Sequence, residues 1–215
     1  MWTYWRDDFA EYGAWSGDDT PVSGVHFHDE HQLTFVISGC RFLRIGGERI
    51  HVPAGSCLYI PAGCPHASLS EVQSGTRCLN LYISDLELGV QPHVLTFRPG
   101  ADTHASAIGE LFHANDAIIP AEPNIARLAA KAGLSREAFT RKFTRQFGIP
   151  PHAHSIVARL NDARRQLRSG AALADVAAAC GFCDQTHLAR HFFRVFGTTP
   201  GAYRKSLGRS QTYER

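Results

Sequence analysis

The sequence predicts a two-domain protein of separate β and α halves, with a small N-terminal β-barrel ahead of an all-α C-terminal domain containing a double helix-turn-helix. Three observations predict this. Short alternating apolar runs cut by Gly and Pro fill residues 1–99, the pattern of a small all-β domain. Apolar residues three and four apart, in an Ala- and Arg-rich background, fill residues 100–215. Charge follows the same division: 6 Lys+Arg against 11 Asp+Glu in the first half, and 16 against 9 in the second. An acidic half joined to a basic half suggests two domains and a polyanionic partner for the basic one.

The strands are read in chain order. Leu33-Thr34-Phe35-Val36-Ile37 is β-branched and aromatic. Arg41–Ile45 and Glu48–Val52 flank Gly46-Gly47 and predict a hairpin. Cys57–Ile60, Arg77–Ile83 and His93–Phe97 are further strands, punctuated by Pro53, Gly55, Pro61, Gly63 and Pro65. The aromatic N-terminus (Trp2, Tyr4, Trp5, Phe9, Tyr12, Trp15) reads as a barrel cover. Pro99-Gly100 is the simplest boundary between the halves.

The second half contains an internal repeat. Leu128–Leu134 parallels Val176–Phe182, and Phe139, Arg141, Phe143, Phe147, Gly148 and Pro151 parallel Leu188, Arg190, Phe192, Phe196, Gly197 and Pro200. In each copy a short Ala-rich helix ends at a Gly able to take positive φ, and a polar residue, Ser135 or Asp184, caps the next helix. That second helix turns aromatics to one side and Arg and polar residues to the other. The plan is that of helix-turn-helix units at about 124–147 and 173–196, whose second helices enter the major groove of DNA.

The stretch Gly181-Phe-Cys-Asp-Gln-Thr-His-Leu188, followed by Phe196-Gly-Thr-Thr-Pro-Gly-Ala-Tyr-Arg204, resembles the DNA-binding domain of the AraC/XylS family of transcription regulators. Leu128–Phe143 with Phe147-Gly148 supports the same resemblance, which covers residues 104–205 or so. It implies two recognition helices joined by a connector helix, His152 to Arg168, and double-stranded DNA as partner. By position it implies that Arg136, Glu137, Thr140 and Arg141 of one helix, and Gln185, Thr186, His187 and Arg190 of the other, face the bases. Arg suits guanine and Gln suits adenine through bidentate hydrogen bonds. Lys142, Arg145, Arg194 and Arg204 suit phosphates, which position without specifying. Phe139, Phe143, Leu188 and Phe192 are expected in the core.

The first half resembles the cupin superfamily. Its first motif is His26-Phe-His28-Asp-Glu-His-Gln32, six residues, then Gly39; its second is Gly55, five residues, Pro61-Ala-Gly63, two residues, His66. Gln32 stands where the acidic metal ligand belongs, Ser70 where an Asn belongs, and Thr20 where a leading Gly belongs. The resemblance implies a pocket formed by His26, His28, Gln32 and His66. Three imidazoles can hold a divalent metal such as zinc, nickel or iron. The other reading is a set of pocket-lining groups that hydrogen-bond a small-molecule effector. Cys64 is a soft alternative ligand restrained by Pro65. Cys180, Cys183, His187 and His191 form a second zinc-like set, but Cys180 belongs to a packed Ala-rich helix and the ligand loop is short.

No apolar run approaches the ~20 residues of a membrane span, and the N-terminus lacks the pattern of a secretory signal. A cytoplasmic protein with six reduced cysteines is therefore expected. The leading reading is a non-enzymatic, ligand-sensing regulator of transcription. The alternatives are a metal-dependent cupin enzyme fused to a DNA-binding domain, and an effector-free DNA-binding protein whose barrel dimerises or contacts RNA polymerase. Only about 20 residues, Asp85 to His104, separate the last long strand from the second half, so the dimerisation helices of longer relatives are expected to be short or missing.

Overall fold

A computed structural model describes residues 2–17, 23–70, 75–86, 91–96, 104–107 and 125–207. The strands are β1 (Trp2–Arg6), β2 (Glu11–Gly17), β3 (His31–Ser38), β4 (Cys40–Ile45), β5 (Glu48–Pro53), β6 (Ser56–Ile60), β7 (His66–Ser68), β8 (Thr76–Ile83), β9 (His93–Thr96) and β10 (His104–Ala107). The helices are α1 (Ile125–Lys131), α2 (Arg136–Phe147), α3 (Pro151–Arg168), α4 (Leu173–Ala179), α5 (Gln185–Phe196) and α6 (Pro200–Leu207).

The strands form two antiparallel sheets, ordered β1-β2-β8-β3-β6-β9-β10 and β5-β4-β7. Among the described residues these sheets face each other without closing into one hydrogen-bonded barrel, so the β domain is a two-sheet cupin-like sandwich rather than a closed barrel. Val36, Leu43, Ile45, Ile50, Val52, Leu58 and Ile60 fill the space between them. The hairpin turns at Gly46-Gly47, both at positive φ as a two-residue loop of this kind requires. The aromatic N-terminus is not a loose cover: β1 and β2 pair with each other, and β2 pairs with β8. Strand β10 pairs with β9, so the sheet continues past a boundary drawn at Pro99-Gly100. Those two residues and Thr20 lie outside the described residues.

The helical half follows the repeat. Ser135 Oγ accepts from the Ala138 N–H at 3.1 Å, and Asp184 Oδ1 accepts from the His187 N–H at 2.7 Å. Each cap satisfies an otherwise unpaired donor of the first turn. Gly133 and Gly181 turn the chain at φ 65° and 70°, a region costly for a residue with a Cβ. One residue more lies between α4 and α5 than between α1 and α2, which accounts for the shift in offset along the repeat. Helix α3 is the connector, starting with Pro151 where its missing N–H costs nothing.

The two halves share one core. Tyr4 and Tyr82 of the sheet join Leu160, Leu167, Val176, Leu188, Phe192, Phe196 and Tyr203 of the helices in a single cluster. Phe27 packs with Ile149 and Val157 in another. The Tyr4 hydroxyl donates to the Phe196 carbonyl at 2.8 Å.

Candidate functional site: a roofed pocket beneath the second recognition helix

Neither His26 nor His28 belongs to a strand. They lie on the irregular segment before β3. A single bridge fixes them instead. The His26 N–H donates to the His66 carbonyl at 2.9 Å, and the His66 N–H donates back to His26 at 2.8 Å. The His26 and His66 rings then lie 4.4 Å apart, and His28 lies 4.9 Å from His26. One ring nitrogen from each lies within 4.8 Å of the others. All three are buried.

Their hydrogen bonds decide which nitrogen carries the proton. His26 Nδ1 donates to the Gly24 carbonyl at 2.8 Å, and His66 Nδ1 donates to the Cys64 carbonyl at 2.9 Å. Both therefore keep a lone pair on Nε2, and that of His66 is buried without a partner. His28 differs. Its Nδ1 lies 3.3 Å from Arg164 Nη1, which can only donate, so its proton is on Nε2. Burial holds His26 down to about 4, helped by the Arg164 and Arg41 charges, and pushes His28 and His66 well below the ordinary imidazole value. The three rings are neutral at neutral pH.

Gln32 is buried on β3 beside them; its amide donates to Thr34 Oγ1 at 2.8 Å and its Oε1 has no partner. Together with Arg41, Asn80 and Tyr82 these residues line a cavity of about 30 Å³, and no carboxylate is among the lining residues. The set fits a divalent ion poorly. Only two imidazoles present a free lone pair, the fourth position is a neutral amide, and the nearest fixed charges are the guanidiniums of Arg41 and Arg164. Cys64 does not line the cavity; only its carbonyl takes part, and burial pushes its thiol up to about 12.

The roof of the cavity comes from the other half of the chain. Val195, Phe196 and Gly197, the C-terminal end of α5, close it together with Trp2 and Tyr4. Gly197 caps α5 at φ 65°, and a Cβ there would stand 2.5 Å from Trp2 Cδ1. Beside the cavity runs a charged interface that the sequence reading missed. Arg164 of α3 is 1% exposed and meets Glu11 through Nε (3.0 Å) and Nη2, and Glu30 through Nη1 (3.4 Å). Arg168 meets both carboxylates as well, and the Tyr203 hydroxyl donates to Glu11 at 2.6 Å. Two cations face two anions, so the buried charge is balanced. No local sequence signal marks these residues, which lie 134 to 192 positions apart.

On the outer face of the helical half, Arg136, Glu137, Arg141, Lys142 and Arg145 of α2 are exposed, as are Gln185, Thr186, Arg190 and Arg194 of α5. Thr140 is half-buried and donates to the Arg136 carbonyl at 2.8 Å. His187 is half-buried too. Its Nδ1 accepts from the Cys183 N–H at 3.4 Å and its Nε2 lies 3.0 Å from His191 Nε2, so its ring bonds within its own unit. Arg204 is exposed and donates to the Ala171 carbonyl at 3.0 Å. Phe143, Leu188 and Phe192 are core, but Phe139 is only half-buried, because α1 covers α2 incompletely. Cys180, Cys183, His187 and His191 do not converge; among the described residues the His26, His28 and His66 set alone brings three potential ligands together.

Residues 128–206 match a family model described as a helix-turn-helix domain, and residues 18–82 match one described as a cupin domain. The chain thus joins a stretch similar to cupin domains to a stretch similar to helix-turn-helix domains. It is 35% identical over 88 residues to the HTH-type transcriptional regulator MtrA of Neisseria gonorrhoeae, covering 40% of this chain and 29% of that protein. It is 37% identical over 90 residues to the transcriptional activator NphR of a Rhodococcus species, covering 41% and 27%. The match thus spans less than a third of the length of these curated relatives. The crystal structure of ToxT from Vibrio cholerae superposes with a TM-score of 0.62 at 9% identity, over 95% of this chain and all of that one, which shows a common fold for both halves together.

Proposed function

We propose that this protein is a sequence-specific DNA-binding regulator of transcription whose cupin pocket senses a small ligand and reports it to the second recognition helix. The observation that carries this reading is the roof. Phe196 and Gly197 end the helix that presents Gln185 and Arg190 outward, and the same two residues close the cavity of His26, His28 and His66. A group entering the cavity meets the end of α5 directly, and a shift of α5 changes what its outer face presents to DNA. Arg141 and Arg190 occupy matching places in the two units, both exposed, on the side away from the buried Phe143 and Phe192. Zinc or ferrous catalysis in the cupin pocket is not favoured, since no carboxylate lines the cavity and the curated relatives are regulators.

Selection of binding sites from random duplexes by the full-length protein, followed by Arg141→Ala and Arg190→Ala, tests the reading. Each variant is expected to lose base discrimination of about 1–3 kcal/mol at its own position of the site, the two positions lying about one helical turn apart. Lys142→Ala is expected to weaken all sequences alike and to flatten the salt dependence. A protein that enriches no sequence, or variants that keep the full wild-type preference, would overturn it.

A further inference from the structure

The cavity holds a buried charge that no carboxylate among the described residues faces. Arg41 is 2% exposed and lines the cavity beside His26 and His66. Its Nη1 donates to Cys78 Sγ at 3.0 Å and its Nη2 to Ser68 Oγ at 2.6 Å; neither partner is a carboxylate. Its Nε is buried without a partner. The ion pairs among the described residues join Glu11, Glu30, Asp29 and Asp162 to Arg164, Arg165 and Arg168, and leave Arg41 with no carboxylate. A guanidinium does not shed its proton in a protein, so burial cannot relieve the cost by neutralising it. A buried cation without a counter-charge is among the least favourable arrangements a fold can contain. Arg164, the other guanidinium beside the cavity, is already balanced by Glu11 and Glu30.

We propose that the cavity is a receptor for a small oxyanion, a short-chain carboxylate or an inorganic anion of similar size, with Arg41 as its charge partner. The other walls suit such a guest. His28 turns an Nε2–H donor inward because its Nδ1 faces Arg164, and the Tyr82 hydroxyl accepts from Asn80 Nδ2 at 3.1 Å, leaving its own proton to donate. The free volume of about 30 Å³ is more than the roughly 10–15 Å³ that one water needs, room for a guest of a few heavy atoms such as formate. A divalent cation would meet two guanidiniums and only two free imidazole lone pairs, so the polarity of the site is opposite to that of a metal-binding cupin. This inference names the ligand class for the sensing pocket proposed above and rests on that reading. Its test uses no DNA, so its failure is separable from failure of the regulator reading.

The experiment is a thermal and intrinsic-fluorescence titration of the full-length protein with sodium formate, acetate and nitrate, against sodium chloride at equal ionic strength and against zinc chloride. Trp2 lines the cavity, with Arg41 5.9 Å from its ring centroid, so its emission reports occupancy. The expected result is a saturating rise in the unfolding midpoint with at least one oxyanion, none with chloride, and no stabilisation by zinc. Arg41→Met is expected to fold with a midpoint equal to or above that of the ligand-free wild type, because it removes an uncompensated charge, and to lose the oxyanion response. Arg41→Lys is expected to keep the charge and a weakened response. The proposal is overturned if Arg41→Met responds as the wild type does, if zinc rather than an oxyanion stabilises the protein, if none of the anions acts, or if every anion acts like chloride. A strong loss of apo stability in both Arg41 variants also overturns it, since Arg41 would then be satisfied by the fold.

Discussion

Replacing Arg164 by Met tests whether the charged seam between the sandwich and the connector helix holds the two halves together. Arg164 is 1% exposed and is shared by Glu11 and Glu30. Its guanidinium lies over the Tyr82 ring at 4.3 Å. Met nearly preserves the volume but leaves two buried carboxylates with Arg168 as their sole cation. Removing one partner of a buried pair costs about 3–5 kcal/mol, because the remaining charge stays desolvated. For a chain of this size that corresponds to a midpoint lower by roughly 6–20 °C. Arg165, the next residue on the same helix, is the internal control. It pairs with Asp29 and Asp162, yet its side chain is 55% exposed, so Arg165→Met should cost less than about 1 kcal/mol. Urea denaturation of both variants reads the difference. Adding Glu11→Gln to Arg164→Met should recover part of the loss by removing an orphaned charge. Equal costs for the two Arg variants, or a double variant as unstable as the sum of its parts, would refute the reasoning.

Three further outcomes are expected. Burial alone would raise the Glu30 carboxyl, but Arg164 and Arg168 hold it below its ordinary value of 4.5. Its stabilisation should therefore be complete above about pH 4.5 and be lost as the pH falls through the lower folded-state value, so acid titration should destabilise the wild type more steeply than Glu30→Gln. Gly133→Ala, with open space around the new Cβ, should cost only the positive-φ penalty of about 1–2 kcal/mol. Gly197→Ala adds a Trp2 collision worth about 1–3 kcal/mol, which Trp2→Ala should relieve in denaturation experiments. Ser135→Ala and Asp184→Ala should each lose about 1 kcal/mol of stability, with equal costs marking the two units as equivalent in build.

The local elements were legible because their causes are local. Period-two runs marked β3 through β6 and β8, and the Gly, capping and Phe spacings marked both helix-turn-helix units to within a residue or two. The edge strand β1 and its neighbour β2 escaped notice because their aromatics look like a cover when no partner strand is in view. Arg41 was legible in principle: it shares parity with Leu43 and Ile45 on β4 and so points inward with them. The three histidines come together in the fold because a single backbone bridge aligns His26 with His66, a pairing across 40 positions that no local pattern records.

The sequence by itself determined the two halves, the duplicated recognition unit, its caps and its outward Arg residues, because each depends on a few neighbouring side chains and on the period of helix or strand. Only the tertiary structure decided what the pocket can hold. It set Arg164 against His28 and so fixed that ring's proton on Nε2, left Arg41 without a carboxylate among the described residues, and laid the end of α5 over the cavity as its roof. The first and last of those facts arise from residues more than a hundred positions apart meeting in one buried space. There desolvation makes each charge and each orphaned lone pair expensive, and no local pattern can record where such groups will meet.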